Sequence, residues 1–315
     1  MLKKILLLIL LVPAIVYAWE PVKPVTVIVG FAPGSGNEIA FRQVSMIVQK
    51  NNPKASFVIE NKPGADSVIS QNHMMSVAPD GYTVSVPSHM SLFVTNDIWQ
   101  RDIKKFQYDS FINVVTLGKS PLAVVANAKS VITTPQQFIA LLNMGYRPVN
   151  VAIGGGAHQM AYEYIMYKAN GNRDQVKMIR YQGPLQAVTE VAGEQTEFGI
   201  MPIAIARPLI EAGKVKLIGL TGDSINNMPT MTKSVPGLKV YAGWVVSLPP
   251  NTPADVVAWY QREFSRAIKS REYQQWAKDN YIFTVDAELT PQGTHKYADE
   301  LRKSFAPVIP NTKSE

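Results

Sequence analysis

The chain has 315 residues, of which 46% are hydrophobic, and a formal net charge of +7. This hydrophobic fraction argues against intrinsic disorder, and the length is sufficient for two ordinary domains. The basic residues are scattered and form no run, which argues against a nucleic-acid-binding surface. Cysteine is absent, which excludes disulfides, a thiol nucleophile and the lipid-bearing cysteine of a lipoprotein.

The N-terminus has the layout of a secretory signal peptide. Met1–Lys4 is a short positive start, Ile5–Leu11 is an unbroken apolar run, and Val16-Tyr17-Ala18 provides a cleavage site after Ala18. The apolar run is shorter than the ~20 residues of a membrane-spanning helix, which disfavours an uncleaved anchor. We therefore predict an exported, soluble mature chain. Removal of residues 1–18 takes away two lysines and no acid, which leaves 29 basic and 24 acidic residues and a net charge of +5.

Short β-rich runs alternate with helix-like segments along the mature chain. Val25–Val29 predicts a strand, and a glycine-rich loop joins it to a helix over Glu38–Gln49 that has its apolar residues on one face. Another helix is predicted over Ala157–Ala169. This alternation predicts an α/β fold with mostly parallel sheets flanked by helices. The other predicted strands are Phe57–Ile59, Tyr82–Val86, Val149–Ile153, Val176–Ile179, Thr196–Ile200 and Val215–Leu220.

Three later helices are predicted from one repeated signal, a threonine N-cap followed by proline at the first helical position. The pairs are Thr134-Pro135, Thr252-Pro253 and Thr290-Pro291. Gln137 and Asp255 stand three residues after their caps, which is the spacing of a capping box.

No low-complexity linker separates the two α/β units, so we expect ordered strands to cross between them. The candidates are Leu122–Asn127 and Trp244–Leu248. This arrangement predicts one domain formed by residues 19–121 plus 245–315 and a second domain formed by residues 122–244.

Two glycine-rich loops each join a strand to a helix. The first is Phe31–Glu38, and the second is Gly154–Gly156, which is followed by His158. Glycines expose backbone N–H groups and the helix start adds a positive dipole end, so both loops suit an anion such as a carboxylate. Ligands of open α/β sheets bind beyond the carboxyl ends of the strands, where both loops are expected to lie. The alternative is that both are ordinary turns that need glycine.

Motifs for cofactors and catalysis are missing. The chain lacks the Gly-Lys-Ser/Thr end of a phosphate loop, and Ile39 and Gln159 occupy the positions where a dinucleotide fingerprint needs its third glycine. No Gly-x-Ser-x-Gly elbow occurs. The four histidines are far apart in sequence and form no zinc-binding pair. We predict neither a cofactor nor a metal.

The motifs of the N-terminal part resemble those of a known receptor family. Phe31–Gly34, Glu38, Arg42, Asn61–Ala65 and Pro79–Thr83 match in order and spacing the pattern of the solute receptors of tripartite tricarboxylate transporters, also called Bug proteins.

Weaker matches extend the resemblance over nearly the whole mature chain. They are Tyr181-Gln182-Gly183, Gly213–Leu217, and Trp244 followed by Pro249–Pro253. Ser35, Glu38 and Ser67 depart from the pattern, since the family usually has glycine, aspartate and glycine there.

The resemblance implies a two-domain periplasmic binding protein of the type II-like fold, which closes on a small carboxylic acid and delivers it to a membrane permease. Some members of the family serve sensor systems instead. A monomer without cofactor or catalytic residues is expected. The residues expected to bind the ligand are Pro33, Gly34, Ser35, Gly36, Asn37, Glu38, Ser88, His89, Gly154, Gly155, Gly156, His158, Tyr181 and Gly183.

The charge of Glu38 qualifies the nature of the ligand, because a carboxylate repels a bare acid. We expect Glu38 to accept a hydrogen bond from a bridging water or from an ammonium or hydroxyl group of the ligand. Two alternatives remain. One is a receptor that feeds a sensor without transport, and the other is an exported hydrolase or isomerase that uses Glu38 and His158 across the cleft.

Overall fold

The computed structural model describes residues 19–309, so the predicted signal peptide and its cleavage site lie outside the described residues. Within them, nine strands alternate with ten α-helices. The strands are β1 (Val25–Val29), β2 (Phe57–Asn61), β3 (Thr83–Ser85), β4 (Ile112–Asn127), β5 (Val149–Ile153), β6 (Val176–Arg180), β7 (Phe198–Pro202), β8 (Val215–Leu220) and β9 (Tyr241–Leu248). The helices are α1 (Gly36–Asn51), α2 (Val68–Met74), α3 (Asn96–Trp99), α4 (Pro135–Met144), α5 (Gly156–Lys168), α6 (Pro184–Ala192), α7 (Ile203–Glu211), α8 (Ala254–Lys269), α9 (Arg271–Asp279) and α10 (Pro291–Phe305).

The strands form one continuous sheet in the order β2-β1-β3-β9-β4-β7-β5-β6, and β8 also pairs with β4. β1 runs parallel to β2 and β3, and β5 runs parallel to β6 and β7. The long strand β4 changes partners along its length. Residues 112–121 pair antiparallel with β9, and residues 122–127 pair antiparallel with β7 and β8. We call the strands up to residue 121 of β4, together with β9, the first half of the sheet, and the remainder the second half.

The core lies between the sheet and its helices. Strands β1, β5 and β7 are almost entirely buried, which explains their mostly apolar sequences; the polar residues Thr26 and Asn150 stand at the positions of β1 and β5 that are not buried. The aromatic face of the long helix α8 packs against the first half of the sheet. Two buried tyrosines in this region each donate a hydrogen bond from the hydroxyl group. Tyr260 donates to the carbonyl of Gly81 (2.6 Å), and Tyr273 of α9 donates to the carbonyl of Leu117 (2.8 Å). Within residues 19–309, no helix combines the length and the apolar character that crossing a membrane requires.

The predicted α/β alternation is confirmed, and β1, β5 and β8 have the predicted bounds. Both predicted crossing segments are strands, although β4 begins at Ile112, ten residues before the predicted start. Helix α1 begins at Gly36, two residues before the predicted start. β7 begins at Phe198, two residues after the predicted start.

Two of the three predicted threonine caps are confirmed. Thr134 accepts from the N–H of Gln137 and the Gln137 side chain accepts from the N–H of Thr134, which completes a capping box. Thr290 accepts from the N–H of Gly293 (3.0 Å).

The third predicted cap, at Thr252, is wrong. Helix α8 begins one residue later than the cap requires, because Pro253 occupies the N-cap position. The Thr252 hydroxyl donates instead to the carbonyl of Pro249 (2.8 Å) and closes the preceding turn. Asp255 accepts from the adjacent N–H of Val256 rather than completing a capping box.

Candidate ligand-binding site

Two helices begin at the carboxyl ends of parallel strands and point their first turns at each other. α1 follows β1, and α5 follows β5. Within the described residues, the backbone N–H groups of Gly36 and Asn37 donate no hydrogen bond. The Asn37 side chain donates to the carbonyl of Val86 (2.8 Å), which fixes α1 to the chain after β3. The free N–H groups and the helix dipole make the start of α1 favourable for an anion.

A small inner cavity of about 50 Å³ lies between the two helix starts. It has room for a group such as a carboxylate or for ordered water. Ser35 is only 8% exposed, and its hydroxyl has no hydrogen-bond partner among the described residues. The indole of Trp244 closes the cavity so tightly that a Cβ on Gly36 would lie 2.5 Å from its ring. A buried hydroxyl without a partner is costly, so the cavity suits a group that bonds to it.

His158 lines the inner cavity from the first turn of α5. Its Nδ1 accepts from the N–H of Gly154 (3.1 Å), which places the proton of the neutral ring on Nε2. Burial lowers the pKa of His158 to about 4. The ring is therefore neutral at pH 7 and offers a hydrogen-bond donor rather than a positive charge.

Two wider arms open from the inner cavity, and Phe31 lines all three spaces. We call the first the Asp66 arm, a space of about 400 Å³ between residues 63–66 of the first half and residues 153–156 and 180–182 of the second. The second is the Glu190 arm, a space of about 390 Å³ between residues 31–35 and the start of α6. The three spaces together form a cleft between the two halves of the sheet.

Asp66 bridges this cleft. Its Oδ2 accepts from the hydroxyl of Thr95 (2.8 Å), and its Oδ1 accepts from the N–H of Gly156 at the start of α5 (3.1 Å). Burial raises the pKa of the Asp66 carboxyl, while these hydrogen bonds and the charge of Arg180 act in the opposite direction. The start of α5, where the sequence predicts a ligand anion, thus already holds a carboxylate of the chain.

The sequence analysis did not identify Asp66 as a site residue. Pro63-Gly64 before it signals a turn, but the contact with Gly156 joins residues 90 positions apart. Nothing in the local sequence reveals such a contact.

Most of the predicted site residues line the cleft. The inner cavity or the arms include Pro33, Gly34, Ser35, Gly36, Asn37, Ser88, Gly154, Gly155, Gly156, His158, Tyr181 and Gly183. Glu38 and His89 do not line it.

Glu38 turns away from the cleft and binds its own loop. Its carboxylate accepts from the N–H of Gly34 (3.2 Å), the amide of Asn61 (3.2 Å) and Nε of Arg42 (2.7 Å). Burial alone would raise the pKa of Glu38, but these hydrogen bonds and the charge of Arg42 outweigh burial and hold the pKa below its ordinary value. The expectation that Glu38 meets the ligand is therefore corrected, because its acceptor sites are used to hold the loop.

His89 lies behind the cleft, 1% exposed, with its ring against Phe93 and Tyr297. Burial, together with the positive charge of Lys119, holds the pKa of His89 well below its ordinary value. Lys119 is itself buried and donates to Glu288 (2.5 Å). The prediction of a ligand contact for His89 is corrected to a place in this buried layer.

The cleft brings together groups that can form hydrogen bonds with a ligand. Glu38 and His158 do not share a cavity, so the acid–base pair of the hydrolase alternative is not formed. Within residues 19–309, no three His, Asp or Glu side chains are placed to hold a metal ion. Among the described residues, the cleft provides backbone N–H groups, hydroxyls, a neutral imidazole, the carboxylates of Asp66 and Glu190, and the guanidinium of Arg180.

The comparisons with known proteins agree with this architecture. A UPF0065 protein of Bordetella bronchiseptica is 28% identical over 276 residues, which cover 84% of this chain and 80% of that protein. An R. palustris protein solved with adipate has a TM-score of 0.84 at 18% identity and covers 91% of this chain and 96% of its own. MatC from Rhodopseudomonas palustris, solved with bound malate, has a TM-score of 0.81 at 20% identity and covers 92% and 100%.

At these identities the solved structures establish the fold, which is that of two-domain periplasmic binding proteins. The sequence profile of the tripartite tricarboxylate transporter family receptors matches residues 40–313. This match spans most of the chain and confirms the predicted resemblance. The chain belongs to the tripartite tricarboxylate transporter receptor family.

Proposed function

We propose that the chain is a periplasmic receptor that captures a small carboxylic acid in its cleft and delivers it to the membrane subunits of a transporter. The observation that carries the proposal is the inner cavity, where free N–H groups of Gly36 and Asn37 and the unpaired Ser35 hydroxyl converge on one space. The two solved relatives with adipate and malate hold carboxylic acids, which supports the same class of ligand here.

The proposal includes export and a division into two domains. The signal peptide would be cleaved after Ala18 during export. No lipid would be attached, because the chain has no cysteine. The mature protein would be a monomer. The domains would comprise residues 19–121 plus 245–315 and residues 122–244. This division is supported by β4, which leaves β9 after residue 121 and pairs with β7 and β8 from residue 122.

The proposal also assigns binding without catalysis. Two carboxylates near the inner cavity are engaged in structural contacts, Glu38 with Arg42 and Asp66 with Gly156. His158 is held neutral by burial and accepts from Gly154. These contacts favour a site that orients an anion and leaves its bonds unchanged.

Isothermal titration of the mature chain with dicarboxylates, tricarboxylates, amino acids and aromatic acids tests the proposal. We expect at least one acid to bind, and Ser35→Ala to weaken it about tenfold, because a buried hydrogen bond to a charged group contributes ~1.5 kcal/mol or more. The matched control is Ser304→Ala on the exposed side of α10, which should bind like the wild type. Binding of a neutral sugar without binding of any acid would contradict the proposal.

A further inference from the structure

The Asp66 arm carries charges of both signs on its two walls. Asp66 belongs to the first half of the sheet, and Arg180 stands at the end of β6 in the second half. Their charges interact across the arm. An anion that entered the arm would be attracted by Arg180 and repelled by Asp66, so the arm as a whole is matched to a ligand that carries both signs.

Asp66 also fills the position that a second ligand carboxylate would need. A dicarboxylate could place one group at the start of α1 and the other at the start of α5, since both helix starts favour anions. The start of α5 is already occupied, because Gly156 donates its N–H to Asp66. A second ligand carboxylate at this point would meet the carboxyl group of Asp66, and two acidic groups at one desolvated position are unfavourable.

The carboxylate of Asp66 keeps acceptor capacity for a ligand. A carboxylate offers about four acceptor sites. The hydroxyl of Thr95 takes one on Oδ2, the N–H of Gly156 takes one on Oδ1, and the hydroxyl of Ser91 also donates to the carboxyl group. Since Asp66 lines the arm, the remaining site is suited to a donor such as an ammonium group.

The backbone is held in an unusual conformation to place this carboxylate. Ala65, Asp66 and Ser67 have φ values of 46°, 49° and 73°, three consecutive residues other than glycine in the left-handed region. Such residues are energetically unfavourable and persist where the surrounding structure enforces them, commonly at ligand sites.

The opposite wall is adapted to Asp66 as well. A Cβ on Gly156 would lie 2.2 Å from Oδ2 of Asp66 and 2.6 Å from Oγ1 of Thr95. Only glycine at position 156 allows this approach.

We propose that Asp66 makes the receptor selective for acids that also carry an ammonium group, such as amino acids, over plain dicarboxylates. This inference rests on the proposed function. The ligand carboxylate binds at the start of α1, beside Ser35 and Gly36, and the ligand ammonium donates to Asp66. The proposed ligands differ from those held by the two solved relatives, adipate and malate, which are both dicarboxylates.

The test uses pairs of acids that differ only in the amino group. The common L-amino acids and 4-aminobutyrate are each paired with the acid that lacks the amino group, for example L-glutamate with glutarate and 4-aminobutyrate with butyrate. A thermal-shift screen selects the pairs that bind, and isothermal titration gives both dissociation constants. We expect the amino member of the best pair to bind at least tenfold more tightly than its partner.

Asp66→Asn keeps the shape of the side chain and removes its charge, and asparagine tolerates the left-handed conformation. We expect the ratio of the two dissociation constants to fall at least tenfold in this variant, mainly because the amino member binds more weakly. Asp66→Gly is the second variant. Glycine adopts the left-handed conformation without strain, so this variant should fold even if Asp66→Asn does not. Asp102→Asn is the control, since Asp102 is 95% exposed and does not line the cleft; it should keep the wild-type preference.

Three outcomes count against the inference and are distinguishable. Plain acids that bind as tightly as their amino partners in the wild type overturn the inference and leave the proposed function intact. A preference that persists in both folded Asp66 variants assigns it to another residue and also overturns the inference. Absence of binding by every acid, amino or plain, overturns the proposed function together with the inference.

Discussion

Two carboxylates near the same edge of the sheet have different tasks. Glu38 was predicted from sequence to meet the ligand, but it faces its own loop and binds Gly34, Arg42 and Asn61. Asp66 was not predicted and reaches across the cleft to Gly156. Sequence position alone indicated that a carboxylate would stand near the helix start, but the direction of each side chain depends on which partners the folded chain brings to it.

Glu38→Gln should destabilise the fold by about 1–3 kcal/mol at pH 7, because hydrogen bonds to a charged group are lost. The pKa of Glu38 is below its ordinary value in the folded chain, so its stabilising contribution is complete above the unfolded pKa of about 4.5 and disappears as the pH falls through the folded pKa. The difference between the variant and the wild type should therefore shrink below pH 4.5. Urea unfolding at pH 7, 4.5 and 3 measures it, and a constant difference would contradict this assignment.

His158 should also make the stability of the fold depend on pH, in a range above that of Glu38. Its pKa is lowered from 6.5 to about 4 by burial, so the unfolded chain binds a proton that the folded chain does not, and stability falls as the pH drops from 6.5 to 4. The shift corresponds to a loss of about 3 kcal/mol. His158→Gln, whose amide oxygen can still accept from Gly154, should lose less stability over this range.

His295→Gln is the control for this experiment, because His295 is 53% exposed on α10. It should follow the wild-type dependence between pH 6.5 and 4. Equal slopes for the wild type and His158→Gln in urea unfolding would show that His158 is not buried in its neutral form.

The elements that the sequence predicts best are those whose signals are local. Buried strands such as β5 are mostly apolar runs, in which Asn150 is the one polar and exposed residue, and Thr134 carries a complete capping box within four residues. Thr252 is also followed by proline, but in the turn before α8 its hydroxyl donates to the carbonyl of Pro249 instead of capping the helix. The start of β4 was missed because its first ten residues pair with β9, which is more than a hundred residues away in sequence.

The loops after β5 and β6 pack backbone to backbone, so their two glycines should respond differently to substitution. A Cβ on Gly154 would lie 2.3 Å from the carbonyl carbon of Gly183, whereas a Cβ on Gly183 would meet nothing within 4 Å. Gly183 also has an extended backbone that any residue adopts. We expect Gly154→Ala to lower the free energy of unfolding by about 1–3 kcal/mol and Gly183→Ala to change it by less than about 0.5 kcal/mol.

Urea unfolding of the two glycine variants provides this comparison. Equal stability of Gly154→Ala and Gly183→Ala would show that the two loops are further apart than the structure has them. A loss in both would indicate that the second loop needs glycine for a reason other than space.

At the scale of the whole molecule, the sequence predicted the class of fold and the position of the cleft between two α/β units. The family motifs supplied the ligand class, which neither composition nor spacing provides. What could not be predicted is the contact between the halves, since it depends on how β4 and β9 orient two loops that lie in different parts of the chain. The charge pattern of the cleft follows from that orientation and is visible only in the structure.

The inner cavity is small, and its walls come from both halves of the sheet. It holds about 50 Å³, and Asp66 joins the two halves beside it through its hydrogen bond with Gly156. We therefore expect the halves to separate about β4 and β9 in solution and to close when an acid binds. Small-angle X-ray scattering should show a radius of gyration that falls, at saturation, towards the about 19 Å of a compact chain of this length.

The binding that drives this closure should also stabilise the folded chain. An acid at a hundredfold excess over its dissociation constant raises the free energy of unfolding by about 2.7 kcal/mol if it binds only the folded chain. Ser35→Ala, measured at the same acid concentration, should gain less stability and require more acid to reach the compact radius, because both effects depend on occupancy of one site. A radius that is unchanged at saturation, with the stability gain intact, would show that the ligand binds a cleft that is already closed and reaches it by another route.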